Sequence, residues 1–158
     1  MSHRLKVGEL FILGYEDDRL DILETFHSQF GLGGVILFAR NTEDINTLRK
    51  RLTQIRDMTS RDILVAVDQE GGRVVRLSGM DFPVFQSPAC FGEQHDLTGA
   101  THAASVTAQY LRESGINVNL NPVVDILTNP ANELMSRRCY ANNESDVCRY
   151  VEAIIKAQ

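Results

Sequence analysis

The feature that most constrains this chain is an unbroken apolar run that ends on an acid: Ile63-Leu64-Val65-Ala66-Val67, then Asp68, Gln69, Glu70 and a Gly71-Gly72 pair. A short run rich in β-branched residues reads as a strand buried on both faces, as in a parallel sheet covered by helices. The paired glycines mark a turn directly after it. In parallel α/β folds ligands bind at the carboxyl ends of strands, so Asp68 stands where a ligand contact is expected. An aspartate in that place also accepts the N–H groups of its own turn, and the local pattern leaves both readings open.

Similar punctuation runs through the rest of the chain. Leu10-Phe11-Ile12-Leu13, closed by Gly14, reads as a first strand. Leu20, Leu23, Phe26 and Phe30 follow an acidic stretch at helical spacing, and glycines at 31, 33 and 34 end that helix. Val35-Ile36-Leu37-Phe38 is a second strand, with Ala39-Arg40-Asn41 at its carboxyl end. Thr42 suits the N-cap of a second helix whose apolar face is Ile45, Leu48, Leu52 and Ile55. After the third strand, residues 78–91 hold Pro83 and Pro88 and read as a loop. A third helix is expected over 97–114, and a fourth strand over 118–124, ending at Asp125. An Asn-rich loop spans 127–143, and a fourth helix begins at Glu144.

This regular alternation implies one α/β domain with parallel strands joined by right-handed crossovers. Two architectures satisfy it. One is an open, doubly wound sheet; the other is the first four βα units of a (β/α)8 barrel, whose complete form needs ~250 residues. Periodicity does not choose between them.

Composition narrows the function. With 158 residues, a net charge of −5 and no Lys/Arg block, the chain offers no footprint for nucleic acid or an anionic membrane surface. No apolar segment reaches the ~20 residues that span a bilayer, and the N-terminus lacks a signal-peptide core. The three cysteines form no C-x-x-C pair, which fits reduced thiols and a cytoplasmic location. Gly31-Leu32-Gly33-Gly34 precedes a strand and has Ile36 where the last glycine of a dinucleotide fingerprint belongs. There is no Walker-type loop and no G-x-S-x-G elbow. The four histidines are scattered, so neither a metal nor another cofactor is expected.

What remains is a set of polar groups at strand ends: Arg40-Asn41, Asp68, Asp125 and, in the following loop, Arg137-Arg138. Carboxylates accept from hydroxyls and arginine donates through a fixed fork, so such a rim suits a ligand with many hydroxyls, such as a sugar. A set of structural salt bridges is the other reading of the same residues.

Several segments, in order, resemble motifs of glycoside hydrolase family 3. They are Gly33-Gly34 with the following VILFARN, AVDQEGGRV at 66–74, and Asn121-Pro122-Val123-Val124-Asp125. Gly8-Glu9-Leu10-Phe11 with Gly14-Tyr15 resembles the family's first-strand signature. Ser136-Arg137-Arg138-Cys139-Tyr140 resembles its G-x-R-S-F loop, with Ser136, Cys139 and Tyr140 as departures. The bacterial β-N-acetylhexosaminidases, which act in cell-wall recycling, are the group most similar.

The resemblance implies the half-barrel, and it implies roles. Asp68 matches the family aspartate that accepts from hydroxyls of the non-reducing sugar, and Arg138 matches the loop arginine that helps hold that sugar. Asp125 and Arg40 are supporting positions, and no role is assigned to Arg73. The family's acid/base histidine, in a K-H-F-P-G-H-G motif, and its nucleophilic aspartate match no residue up to Gln158. The expectation is therefore a segment of a retaining hydrolase of terminal β-N-acetylhexosamine or related β-glycosides, one that supplies part of the sugar-binding rim and no catalytic residue. The alternative is a non-catalytic half-barrel that binds sugar weakly or acts only by assembling with another chain. A half-barrel leaves its outer strands unpaired and its interior open, with Ile12, Ile36 and Val65 expected to face water. The partners expected are accordingly a carbohydrate and, for this polypeptide, a second copy in a homo-oligomer.

Overall fold

The computed structural model of the chain describes residues 6–16, 19–59, 62–78 and 82–158. A 3-10 turn, Val7–Leu10, leads into strand β1 (Ile12–Gly14). Then come α1 (Leu20–Phe30), β2 (Gly34–Leu37), α2 (Ile45–Thr59) and β3 (Leu64–Val67). A short helix α3 (Pro88–Glu93) precedes α4 (Leu97–Glu113), β4 (Val118–Asn119) and α5 (Glu144–Ala157). The four strands form one parallel sheet in the order β1-β2-β3-β4. A strand order that follows the chain has no switch point, which rules out the doubly wound sheet and leaves the partial barrel.

Strand parity decides which face is packed. Leu13, Val35 and Val65 share a register and belong to the main core with Leu37 and Val67. That core is closed by Leu23 of α1 and by Leu48, Leu52 and Ile55 of α2. Each such side chain, once buried, contributes roughly 1.5–3 kcal/mol. The opposite parity carries Ile12, Gly34 and Leu64 across the sheet. Ile12 is 40% exposed and Leu64 46%. The expectation that Val65 faces the open interior is corrected: it is 1% exposed and points at the helices. Side chains alternate faces along a strand, so Val65 cannot share the interior with Leu64.

Other boundaries also move. Thr42 does not cap α2. Asp44 does, accepting from Thr47 N–H at 2.6 Å, while the Thr42 hydroxyl donates to the carbonyl oxygens of Ala39 and Arg76. Helix α3 falls inside the stretch read as a loop, with Ser87 as its N-cap and Pro88 in its first turn. The fourth strand is far shorter than 118–124, because its partner β3 ends at Val67, which pairs with Asn119, and asparagine side chains reinforce the short ladder. Asn117 accepts from Val65 N–H at 2.7 Å and donates to Ile63 C=O at 2.9 Å. Asn119 does the same for Gln69, at 3.1 and 3.2 Å.

A second core lies beside the sheet, where Phe91 of α3 and the alanines of α4 meet Tyr150 and Ile154 of α5. Tyr140 stacks on Tyr150 with centroids 5.0 Å apart, and the Tyr150 hydroxyl donates to Phe91 C=O at 2.8 Å. The approach of α3 to the 127–143 loop requires a glycine: a Cβ on Gly92 would lie 1.7 Å from the Tyr140 carbonyl oxygen. Among the described residues, no helix is long and apolar enough to cross a membrane.

Candidate functional site

Strand β3 ends at Val67, so Asp68 is the first residue beyond the ladder. The chain then folds back in a tight turn. Gly71 and Gly72 take φ of +95° and +58°, Gly71 bridges to Val74, and Glu70 N–H donates to Val74 C=O at 2.9 Å. Left-handed backbone of this kind is costly for residues with a Cβ, which is why glycines stand there. The buried Gln69 fastens the returning strand, its Oε1 accepting from Arg76 N–H at 2.8 Å and Leu77 N–H at 3.3 Å. The turn thereby delivers the Arg76 guanidinium to within 3.5 Å of the Asp68 carboxylate.

Glu70 leaves the same turn in the other direction. Its side chain is 2% exposed and receives both edges of the Arg138 fork, Nε at 2.8 Å and Nη2 at 2.7 Å. Arg138 comes from the 127–143 loop, whose base is tied down by Leu127 N–H donating to Ala141 C=O at 3.0 Å and by the Tyr140 contact with Gly92. The hydrogen bonds to Glu70 hold the Arg138 guanidinium above its ordinary range despite partial burial, and the Glu70, Asp68 and Asp125 charges reinforce them. Burial pushes the neighbouring Cys139 thiol up, aided by Asp125 and opposed by Arg138. Burial likewise drives the Tyr140 phenol up, with Glu70 and Tyr150 adding to it.

Three carboxylates and two guanidinium groups therefore meet at the carboxyl end of β3. A pocket of about 220 Å³, lined by Asp125, Leu127, Asn129, Asn132 and Met135, opens beside them. Such a rim holds acceptors and fixed donors within one field, as recognition of a polyol requires.

The structure thus brings Asp68, Asp125 and Arg138 together. It gives Arg40 other partners: Glu16 at 3.0 Å, Tyr15 C=O at 3.3 Å and the Phe38 ring beneath its guanidinium. Asn41 is a structural tie, accepting from Phe38 N–H at 3.0 Å and donating to Tyr15 C=O at 3.2 Å. Arg73 is exposed at the tip of the turn, and Arg137 is exposed in the loop. Sequence reasoning passed over Glu70 and Arg76. Both lie within or just after the AVDQEGGRV stretch, and the glycine pair was the signal that the chain doubles back there. Among the described residues, no group of three or more His, Cys, Asp or Glu side chains could hold a metal ion.

Sequential parallel βα units with charged groups gathered at a strand's carboxyl end define the class: part of a (β/α) barrel with a polar rim. The chain belongs to glycosyl hydrolase family 3, whose N-terminal domain model matches residues 3–158. It is 33% identical over 138 residues to Beta-hexosaminidase A of Pseudoalteromonas piscicida, covering 82% of this chain and 23% of that one. It is 36% identical over 118 residues to a beta-hexosaminidase of Thioalkalivibrio sulfidiphilus, covering 71% of this chain and 34% of that protein. Among solved structures, a family 3 beta-N-acetylglucosaminidase from Paenibacillus sp. superimposes with a TM-score of 0.90 at 27% identity, over 99% of this chain and 31% of that one. NagZ from Neisseria gonorrhoeae, solved with N-trifluoroacetyl-D-glucosamine, gives 0.83 at 25% identity, over 98% of this chain and 47% of that one. The chain therefore spans a quarter to a third of the length of these curated relatives.

Proposed function

We propose that this chain forms the glycone-binding portion of a glycosidase that removes terminal β-linked N-acetylhexosamine with retention of configuration. The observation that carries the reading is the Asp68–Arg76 and Glu70–Arg138 cluster at the end of β3, inside the segment matched by the family model. Asp68 accepts hydrogen bonds from ring hydroxyls, and the free edge of Arg138 donates to the same sugar, with Asp125 supporting that arginine electrostatically. The names of the relatives, beta-hexosaminidase and beta-N-acetylglucosaminidase, support the substrate class. Retention requires a nucleophile and an acid/base, and no residue of this chain is assigned either role. The free cysteines at 90, 139 and 148 support a reducing, cytoplasmic setting.

A second reading is favoured by the exposed apolar face of the sheet, Ile12 and Leu64 above all: the chain acts only when other polypeptide covers that face. Titration of the 158-residue chain with N-acetylglucosamine and with glucose, followed by ligand-observed NMR, tests the substrate class. Selective binding of N-acetylglucosamine is expected; equal response to both sugars, or to neither, would overturn the reading.

A further inference from the structure

Glu70 has no part in the sugar contacts above, yet it is the most deeply buried acid of the rim. We infer that Glu70 is a positioning residue that sets the orientation of the Arg138 fork, an inference that rests on the reading of Arg138 as a sugar contact. Arginine has five N–H donors in a rigid plane. Nε and one N–H of Nη2 go to the Glu70 carboxylate, and one N–H of Nη1 goes to Met135 Sδ at 3.6 Å. That leaves one donor on each terminal nitrogen, on a side chain 28% exposed.

The loop that carries Arg138 has no regular secondary structure between β4 and α5. Its backbone is anchored near Tyr140, but a long side chain on such a loop samples many rotamers unless its head is held. Glu70 supplies that hold from the rigid end of β3. Its backbone is held in the turn, Glu70 N–H donating to Val74 C=O at 2.9 Å. The bidentate pair fixes the plane of the guanidinium as well as its position, which a single hydrogen bond would not do. A buried carboxylate deprived of its partner is costly, so the pair also keeps Arg138 from swinging onto Asp68 or Asp125.

The test uses the 158-residue chain, wild type and Glu70→Gln, with N-acetylglucosamine as the probe. Three quantities are read: the melting temperature, the Arg138 Nε–H resonance and the sugar affinity. Expected is a folded E70Q variant whose Arg138 resonance shifts and broadens and whose affinity falls by about tenfold or more, as for loss of a charge-assisted contact. Arg138→Lys in the E70Q background should then cost little further affinity, because the two substitutions remove one device. Wild-type binding with E70Q affinity unchanged, or an Arg138 resonance unmoved by E70Q, would overturn the inference. If E70Q does not fold, Glu70→Asp, which keeps the charge but shortens the reach, takes its place with the same criteria. Failure of both variants to fold would make Glu70 structural and the inference wrong. A wild-type chain that binds no sugar would sink the reading on which the inference stands, an outcome separate from the variant-specific one.

Discussion

Asp68 carries two possible loads, a ligand and a turn, and its surroundings separate them. Its partner Arg76 lies at 3.5 Å and both side chains are 27% exposed, so the pair stabilises the fold by about 1 kcal/mol at most. The turn itself is held by Gln69, the glycines and the Glu70–Val74 bond. Asp68→Asn should therefore leave the melting temperature within a few degrees of wild type while weakening N-acetylglucosamine binding about tenfold. A lower melting temperature with affinity intact would return Asp68 to the turn. Tyr140 permits a prediction with pH. Burial raises its folded-state pKa, as it does that of the Cys139 thiol, so folding favours the protonated forms. That contribution is complete below the ordinary thiol and phenol values of 9.0 and 10.0 and is lost as pH rises beyond them. Tyr140→Phe keeps the ring stacked on Tyr150 and removes the ionisable hydroxyl. Melting curves recorded from neutral to alkaline pH should fall less steeply for this variant than for wild type.

At the scale of elements, the 127–143 loop is positioned by two attachments of different kinds. One is the Glu70–Arg138 ion pair; the other is the close packing of Gly92 in α3 beneath the Tyr140 backbone. Gly92→Ala would place a methyl group 1.7 Å from a carbonyl oxygen, so helix and loop must part. A destabilisation of about 1–3 kcal/mol follows, the usual cost of overpacking, together with faster proteolysis within 127–143. Limited proteolysis of the two proteins at one temperature reads this directly, and unchanged cleavage would show that the ion pair alone anchors the loop. Helices α2 and α4 are joined in a comparable way. Arg49 and Arg56 on α2 donate to the carbonyls of Glu113 and Gly115 at 3.0 and 2.6 Å, placing cations where the C-terminal end of α4 leaves carbonyls unpaired.

For the whole molecule, the relevant feature is the four-stranded parallel sheet. Strands β1 and β4 each pair on one side only within the sheet. Leu120 and Val124, just after β4, are exposed at 47% and 64%. Unpaired strand edges and apolar surface are templates for association. The 158-residue chain should self-associate at micromolar concentration and bury over ~1,000 Å² in doing so. Leu64→Glu, on the exposed face of β3, should shift the population toward monomer in sedimentation velocity. A wild-type chain that sediments as a monomer and melts cooperatively would overturn this expectation.

Much of this architecture was legible in the sequence, because it follows from local rules. Apolar runs bounded by glycines gave the strands of the sheet, and helical spacing gave α1, α2, α4 and α5, since period and turn chemistry act over a few residues. The family motifs carried Asp68 and Arg138 together, although Arg138 lies 68 positions beyond its partner Glu70. What the local pattern could not contain was the pairing of charges across that separation. That Arg76 turns back to Asp68, that Glu70 and not Asp68 grips Arg138, and that Arg40 goes to Glu16 depend on how the turn and the loop meet in space. The face of each strand was a tertiary matter as well. Val65 and Leu64 are equally apolar, and only the side on which the helices pack buries one and leaves the other open.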